Sequence, residues 1–291
     1  MKPNIAATIL SWWTASTAAA AVIPASDPEH HIPTSYESAV LGRRILALTP
    51  IGTLSTIFPE DKQSDGVSTQ ERRPPGLAGM PYGLMEYIAD CEADGLGNPT
   101  ILAITIGTTF KNAAAGSNVS LAVQWTPPHP PAKRIKSKTK HKERVWLSYL
   151  GLTSNDADHE YHNLHKRHHS RPLPYSAANL PRFSLIGHLE PIKGGDDRDS
   201  EVGSALARCY VDSHPDARYW LPGNRIHEAR FVRLVVEQVY WVGGFGDRAF
   251  IGWIPVEEWR NVSRKEWEQV RLPGEKKGWK EWSVKDVPGD L

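Results

Sequence analysis

The sequence has few cysteines, no surplus of either charge and no long apolar run after its N-terminus. Only two cysteines occur in 291 residues, Cys91 and Cys209. The alternatives are therefore one disulfide or two buried thiols that act as small hydrophobes. The 34 basic residues nearly balance the 33 acidic ones, which excludes a global electrostatic attraction to nucleic acid. No segment after the N-terminus is apolar enough to span a membrane.

The motifs of several enzyme classes are also missing. The sequence contains no Walker loop, no Gly-rich dinucleotide turn, no Ser-His-Asp order and no paired-carboxylate motif. Hydrolase and nucleotide chemistry therefore have no support from the motifs.

The N-terminus has the parts of a secretory signal peptide. Lys2 gives the positive start, residues 5–21 form the apolar run, and a final series of alanines suits signal peptidase. The run is short for a transmembrane anchor and is interrupted by Ser and Thr. We therefore expect residues 1–21 to be removed by cleavage close to Ala20 or Ala21.

A chain that enters the secretory pathway meets the N-glycosylation machinery, and this sequence contains two acceptor triplets. Asn118-Val119-Ser120 and Asn261-Val262-Ser263 both have a middle residue other than Pro. We expect Asn118 and Asn261 to carry N-glycans, and the mature chain to begin with a polar leader, residues 22–33.

The periodicity of the remaining chain predicts mostly strands. Thr34 and Glu37 stand at capping-box spacing and predict a helix that ends before Pro50. Shorter helices are predicted at residues 108–116 and 202–209. Runs rich in β-branched and aromatic residues predict seven strands, at residues 51–58, 80–88, 100–106, 118–125, 182–189, 231–242 and 250–254. This order favours a mainly β (α+β) fold, a closed or partly closed antiparallel barrel with a few short helices.

Residues 127–174 differ in composition from the rest and predict a disordered surface insertion. Its basic part, Lys133–Arg144, contains seven Lys or Arg against one Glu, which allows contact with a polyanion. Its dibasic pairs, Lys133-Arg134 and Lys166-Arg167, suit a processing protease of the secretory route. After the barrel, residues 263–291 form a Trp-rich extension that we expect to pack on the sheet.

The insertion also contains a weak candidate metal site. Its histidines are spaced by three and four residues and could share one helical face that binds Zn²⁺ or Cu²⁺. The segment lacks the apolar face that would order such a helix, so a solvated polar insertion is the competing interpretation. The residues concerned are His162, His165, His168 and His169.

The order of the strands and their short motifs resembles the CREG-like branch of the pyridoxamine 5'-phosphate oxidase-like, FMN-binding split β-barrel proteins. The resemblance covers residues 34–262 apart from the insertion. It is carried by Gly52-Thr53-Leu54-Ser55-Thr56, Met80-Pro81-Tyr82-Gly83, Gly97-Asn98-Pro99, Thr109-Phe110-Lys111-Asn112, Ser117-Asn118-Val119-Ser120-Leu121, His214-Pro215-Asp216-Ala217, Tyr240-Trp241-Val242-Gly243-Gly244-Phe245-Gly246 and Ile254-Pro255-Val256-Glu257-Glu258-Trp259.

The resemblance implies a split barrel that dimerises, with the flavin site of FMN-binding relatives at the subunit interface. Thr109-Phe110-Lys111 matches the element that holds the FMN phosphate in those relatives, and Ser55 is a further candidate ligand. Lys111 is equally consistent with a solvated surface lysine. The second strand departs from the flavin-binding pattern, because it places Leu84 and Glu86 where those relatives commonly have Ser or Arg.

Two functions follow from the resemblance. The first is a secreted or vacuolar/endolysosomal glycoprotein that is non-catalytic, needs no cofactor and acts through protein interaction as a homodimer. The alternative is an FMN-dependent oxidoreductase that holds the phosphate through Ser55, Thr109 and Lys111. Leu84 and Glu86 favour the first, because neither side chain suits a phosphate dianion.

Overall fold

A computed structural model describes residues 31–60, 74–131, 177–246 and 249–280. These ranges form a seven-stranded antiparallel sheet with short helices, which confirms the predicted mainly β (α+β) class. The strands are β1 (Ile51–Ile57), β2 (Pro81–Tyr87), β3 (Thr100–Ile104), β4 (Val119–Gln124), β5 (Arg182–Pro191), β6 (Ala229–Val242) and β7 (Ile251–Ile254). The α-helices are α1 (Ser35–Leu48), α2 (Thr108–Ala114), α3 (Glu201–Ser213), α4 (Val256–Asn261) and α5 (Arg264–Gln269), and 3₁₀ turns occur at Ala177–Asn179 and Pro215–Tyr219.

The sheet is open between β2 and β3. The strand order is β2-β1-β4-β5-β6-β3, with β7 paired to β6. A single bridge, between Ala89 and Thr100, joins the two ends of this order in the described part of the chain. The fold is therefore a split barrel rather than a closed one, because β2 and β3 diverge after one residue pair.

Side-chain alternation gives the sheet a buried inner face and an exposed outer face. In β1, Leu54 and Thr56 are buried, whereas Thr53 and Ser55 between them are half-buried. The inner face is covered by α1, whose N-terminus has the predicted capping box between Thr34 and Glu37.

A disulfide between Cys91 and Cys209 connects α3 to the chain that follows β2. Of the two alternatives that the sequence leaves open, the structure therefore has the disulfide. It closes a chain separation of 118 residues, so it removes much conformational freedom from the unfolded chain. Cys91 packs against a second apolar cluster, separate from the main core, that includes Leu206 and Phe231.

The start of the predicted insertion belongs to the fold. The N–H of His129 donates to the carbonyl of Gly274 at 3.2 Å, and Nε1 of Trp279 donates to the carbonyl of His129 at 2.7 Å. Nε1 of Trp125 donates to the carbonyl of Pro273 at 2.7 Å. The first residues of the predicted insertion, 127–131, are thus ordered, and the C-terminal extension satisfies both backbone groups of His129.

Several predictions fall outside the described residues. These are the signal peptide, residues 22–30 of the leader, the basic run, the dibasic pairs, the four candidate metal-ligating histidines and the last residues of the extension. The remaining part of the extension packs against the core through the rings of Trp267 and Trp279.

Candidate functional site

The short helix α2 covers a buried polar cluster against β1 and β2. Thr109 is 1% exposed and Asn112 is fully buried. The hydroxyl of Thr109 donates to Oε1 of Glu86 at 3.4 Å. Nδ2 of Asn112 donates to Oγ1 of Thr56 at 3.1 Å. The side of α2 that carries Thr109 and Asn112 is thus committed to contacts within the chain.

The chemistry of this cluster does not suit a phosphate dianion. Burial raises the pKa of Glu86, and the hydrogen bond from Thr109 acts in the opposite direction. Whenever Glu86 is ionised, it repels a phosphate near Thr109. Leu84, two residues earlier on the same face of β2, is 48% exposed and donates no hydrogen bond. A phosphate at this position would face the carboxylate of Glu86, which repels it, and the apolar side chain of Leu84, which donates no hydrogen bond.

Ser55 does not lie in this cluster. It pairs with Gly83 of β2 and Ser120 of β4. Its neighbour Thr56 faces α2, and successive side chains of a strand point to opposite faces. Within one protomer, Ser55 is therefore on the other face of β1 from the cluster of Thr109 and Asn112. Lys111 lies on α2 and is half-buried.

The outer face of the sheet has a cleft of about 510 Å³. A row of cross-strand partners extends over six strands: Met85, Thr53, Ala122, Ser184, Tyr240 and Trp253. All of them except Trp253 line the cleft. Met85 is 69% exposed and Trp253 is 57% exposed. Sequence reasoning missed this surface, although the apolar residues on both faces of β2 were its signal.

The chain matches the family model described as CREG, beta-barrel, over residues 33–261. The chain belongs to the CREG β-barrel family. This confirms the resemblance carried by the sequence motifs. A comparison with curated proteins finds no match.

Several solved structures resemble this CREG β-barrel chain. The heme binding protein of Mycobacterium smegmatis is 18% identical, with 79% of this chain and 61% of that chain covered and a TM-score of 0.44. HutZ, the heme storage protein of Vibrio cholerae, is 13% identical, with 68% and 88% covered and a TM-score of 0.35. A FAD-binding protein of Mesorhizobium loti is 15% identical, with 67% and 87% covered and a TM-score of 0.31. The likeness is one of fold alone, and this chain spans about three fifths of the first.

The two glycosylation candidates lie on the surface of this CREG β-barrel chain. Asn118 is exposed directly before β4, and Asn261 is exposed at the last position of α4. The hydroxyl of Ser263, the third residue of the second triplet, caps α5 and donates to Oε2 of Glu266 at 2.6 Å. Both asparagines are thus accessible in the folded chain.

In the described ranges, no group of three or more His, Cys, Asp or Glu side chains is arranged to hold a metal ion. A search of the same residues finds no helix that is both long enough and apolar enough to cross a membrane.

A buried ion pair joins the chain after β2 to β6. Nη2 of Arg233 lies 2.6 Å from Oε2 of Glu92, whose side chain is 9% exposed. Burial raises the pKa of Glu92 to about 7 despite the opposing charge of Arg233, and the carboxylates of Asp94 and Glu190 add to the rise. Oε1 of Glu92 is buried without a hydrogen-bond partner among the described residues. Protonation of Glu92 therefore removes a negative charge that burial makes unfavourable.

This arrangement predicts a protein that is more stable at acid pH. The pKa of Glu92 is about 7 in the folded state against 4.5 for an ordinary glutamate. The stabilisation is fully present below about pH 4.5 and is lost as the pH rises through about 7. We expect the thermal midpoint to decrease as the pH is raised from 5 to 8. Glu92→Gln should remove part of that decrease, on the order of a few degrees.

Circular dichroism melting of both proteins across this pH range checks the prediction. An identical pH dependence in the two proteins would contradict it. Glu228→Gln is a suitable control, because Glu228 also pairs with an arginine, Arg230, but both side chains are more than half exposed.

Proposed function

We propose that this chain is a secreted or vacuolar/lysosomal glycoprotein that acts through protein interaction and not through flavin catalysis. The observation that supports this best is the contact between Thr109 and Glu86. The hydroxyl of Thr109, which a phosphate would need as a donor, already donates to Glu86. The carboxylate of Glu86 therefore lies next to the position that the phosphate would take.

The alternative, an FMN-dependent oxidoreductase, requires Ser55, Thr109 and Lys111 to hold one phosphate. Thr109 would have to release Glu86, and Ser55 would have to act from the other face of β1. Without the two hydroxyls, the charge of Lys111 gives a weak basis for specific phosphate binding.

Titration of the purified protein with FMN tests the proposal directly. We expect calorimetry to detect no binding up to high micromolar FMN, because Glu86 and Leu84 oppose the phosphate. Lys111→Ala then has no affinity to remove. Submicromolar affinity that falls about tenfold to hundredfold in Lys111→Ala, the range for a charge-assisted hydrogen bond, would establish the oxidoreductase instead.

Three features support a secretory compartment. Asn118 and Asn261 are both exposed, as acceptors of N-glycans must be. The Cys91–Cys209 disulfide suits an oxidising environment. The direction of the pKa shift of Glu92 favours stability in an acidic compartment such as a vacuole or lysosome.

Expression in a eukaryotic secretory host checks the compartment. The protein should leave the cytosol, begin near Val22, and lose mass when treated with an N-glycosidase. Asn118→Gln and Asn261→Gln should each remove part of that mass, and together all of it. An intact Met1 on an unglycosylated cytosolic protein would contradict the proposal.

The outer face of the sheet supports a homodimer. Exposed apolar side chains share this face, and a contiguous exposed apolar patch usually marks an interaction site. They are Ile51, Met85, Tyr240, Ile251 and Trp253. The row crosses six strands, and a two-fold contact would bring the same row of both subunits together.

Light scattering of the purified protein tests the dimer. We expect the wild type to have twice the mass of one chain, and Met85→Lys to shift it towards the monomer, because the new charge would be buried in the contact. Val202→Lys is the matched control, since Val202 is 46% exposed but lies on α3. A monomeric wild type, or an unaffected Met85→Lys variant, would contradict the proposed face.

A further inference from the structure

A short loop at the N-terminal end of β6 exposes the largest apolar side chains outside the sheet face. We call residues 219–227 the Asn224 loop. In it, Tyr219 is 58% exposed and Ile226 is 72% exposed. Trp220 and Leu221 of the same loop pack against the second apolar cluster. The loop is thus anchored by one pair of apolar residues and presents another pair to solvent.

The side chain of Asn224 holds the loop in one conformation. Its Nδ2 donates to the carbonyls of Trp220 at 3.1 Å, Leu221 at 3.1 Å and His227 at 2.8 Å. Its Oδ1 accepts from the backbone N–H groups of Ile226 at 2.9 Å and His227 at 2.8 Å. A loop that is rigid before binding loses little conformational entropy on binding.

A third exposed side chain extends this surface. The N–H of Thr105 donates to the carbonyl of Glu228 at 3.0 Å, which continues the β3–β6 pairing by one residue. The next residue, Ile106, is 59% exposed and follows at the same end of the sheet. Ile106, Tyr219 and Ile226 therefore belong to one end of the fold. Burying such residues in a contact is favourable.

The charge around the loop is positive. Arg218 and Arg225 are exposed, and the guanidinium of Arg218 lies 4.8 Å from the centre of the Tyr219 ring. Of the nearby carboxylates, Glu228 pairs with Arg230, whereas Asp216 keeps its charge, because its partner Tyr87 is an uncharged hydroxyl. Two exposed arginines against this one carboxylate leave a net positive charge that attracts an anionic group.

We propose that the Asn224 loop, together with Ile106, is a docking surface for a protein segment that presents an apolar side chain flanked by carboxylates. Tyr and Arg, which this surface presents, are enriched in binding hot spots. The surface is separate from the outer-face row, because Tyr240 follows Ala229 by eleven residues along the extended strand β6, about 35 Å.

A protein segment fits this surface better than an anionic membrane. Attachment to a membrane by charge takes a lipid anchor or a cluster of about four or more basic residues. The whole surface provides two exposed arginines, Arg218 and Arg225, and three exposed apolar side chains, Ile106, Tyr219 and Ile226. The inference rests on the proposed interaction role. The two proposals can be distinguished by experiment. High affinity for FMN would contradict the proposed function, whereas loop variants that bind the peptides normally would contradict the docking surface.

Selection from a random peptide library displayed on phage, with the full-length glycosylated protein as target, tests the proposal. We expect enriched peptides to combine Asp or Glu with an aliphatic or aromatic residue. Their affinity should fall about thirtyfold in the double variant Arg225→Glu/Ile226→Ser, the loss typical of hot-spot residues. Asn224→Ala should also weaken them, because it releases the loop while leaving the contacting side chains in place.

The matched control is Val202→Ser/Arg208→Glu, which makes the same chemical changes at exposed positions on α3 and should leave the affinity unchanged. Circular dichroism establishes that each variant is folded. The proposal is overturned if no acidic-apolar peptide is enriched, or if the enriched peptides bind the loop variant as tightly as the wild type. It is also overturned if the wild type sediments with phosphatidylserine vesicles and Arg225→Glu/Ile226→Ser abolishes that binding, which would make the surface a membrane contact.

Discussion

The buried guanidinium of Arg43 joins parts of this fold that lie far apart in the chain. It is 1% exposed and donates to the carbonyls of Gly95 at 2.7 Å and Trp259 at 3.1 Å. Asp90 lies 3.8 Å away. Burial lowers the pKa of Arg43, and the charge of Asp90 opposes that effect. Since removing one partner of a buried ion pair typically costs about 3–5 kcal/mol, α1 and α4 are held firmly against the chain after β2.

The space around this guanidinium explains a glycine of the sequence motif Gly97-Asn98-Pro99. Gly97 has a φ of +75°, and a Cβ there would lie 2.5 Å from Nε of Arg43. The carbonyl of Gly97 accepts from Nε1 of Trp259 at 3.1 Å. Both the backbone conformation and the close approach require glycine. With the inner face closed in this way, the surfaces left for partners are the outer face of the sheet and the loops at its ends.

The elements with local signals were predictable from the sequence. The capping box of Thr34 and the alternation of β5 depend on neighbours in the chain, and all seven predicted strands have counterparts in the structure. The contacts of the candidate site were not predictable, because they join residues far apart. Nothing near Thr109 in the sequence indicates that its hydroxyl bonds to Glu86. Likewise, nothing near His129 indicates that its carbonyl accepts a hydrogen bond from Trp279. The face of Ser55 could be read locally, since alternation along β1 places it opposite its buried neighbour Thr56.

The polar cluster under α2 is part of the packing of the fold, and this limits how the cluster could be adapted to hold a flavin phosphate. Replacing Glu86 alone would remove the repelling carboxylate but leave the hydroxyl of Thr109 fully buried. Exposing that hydroxyl would require α2 to move, and such a movement would break the bond between Asn112 and Thr56. A buried polar group that loses its partner costs about 1–3 kcal/mol. The departure from the flavin-binding pattern is therefore coupled to stability, so changes at Leu84 and Glu86 must be accompanied by a repacking of the helix.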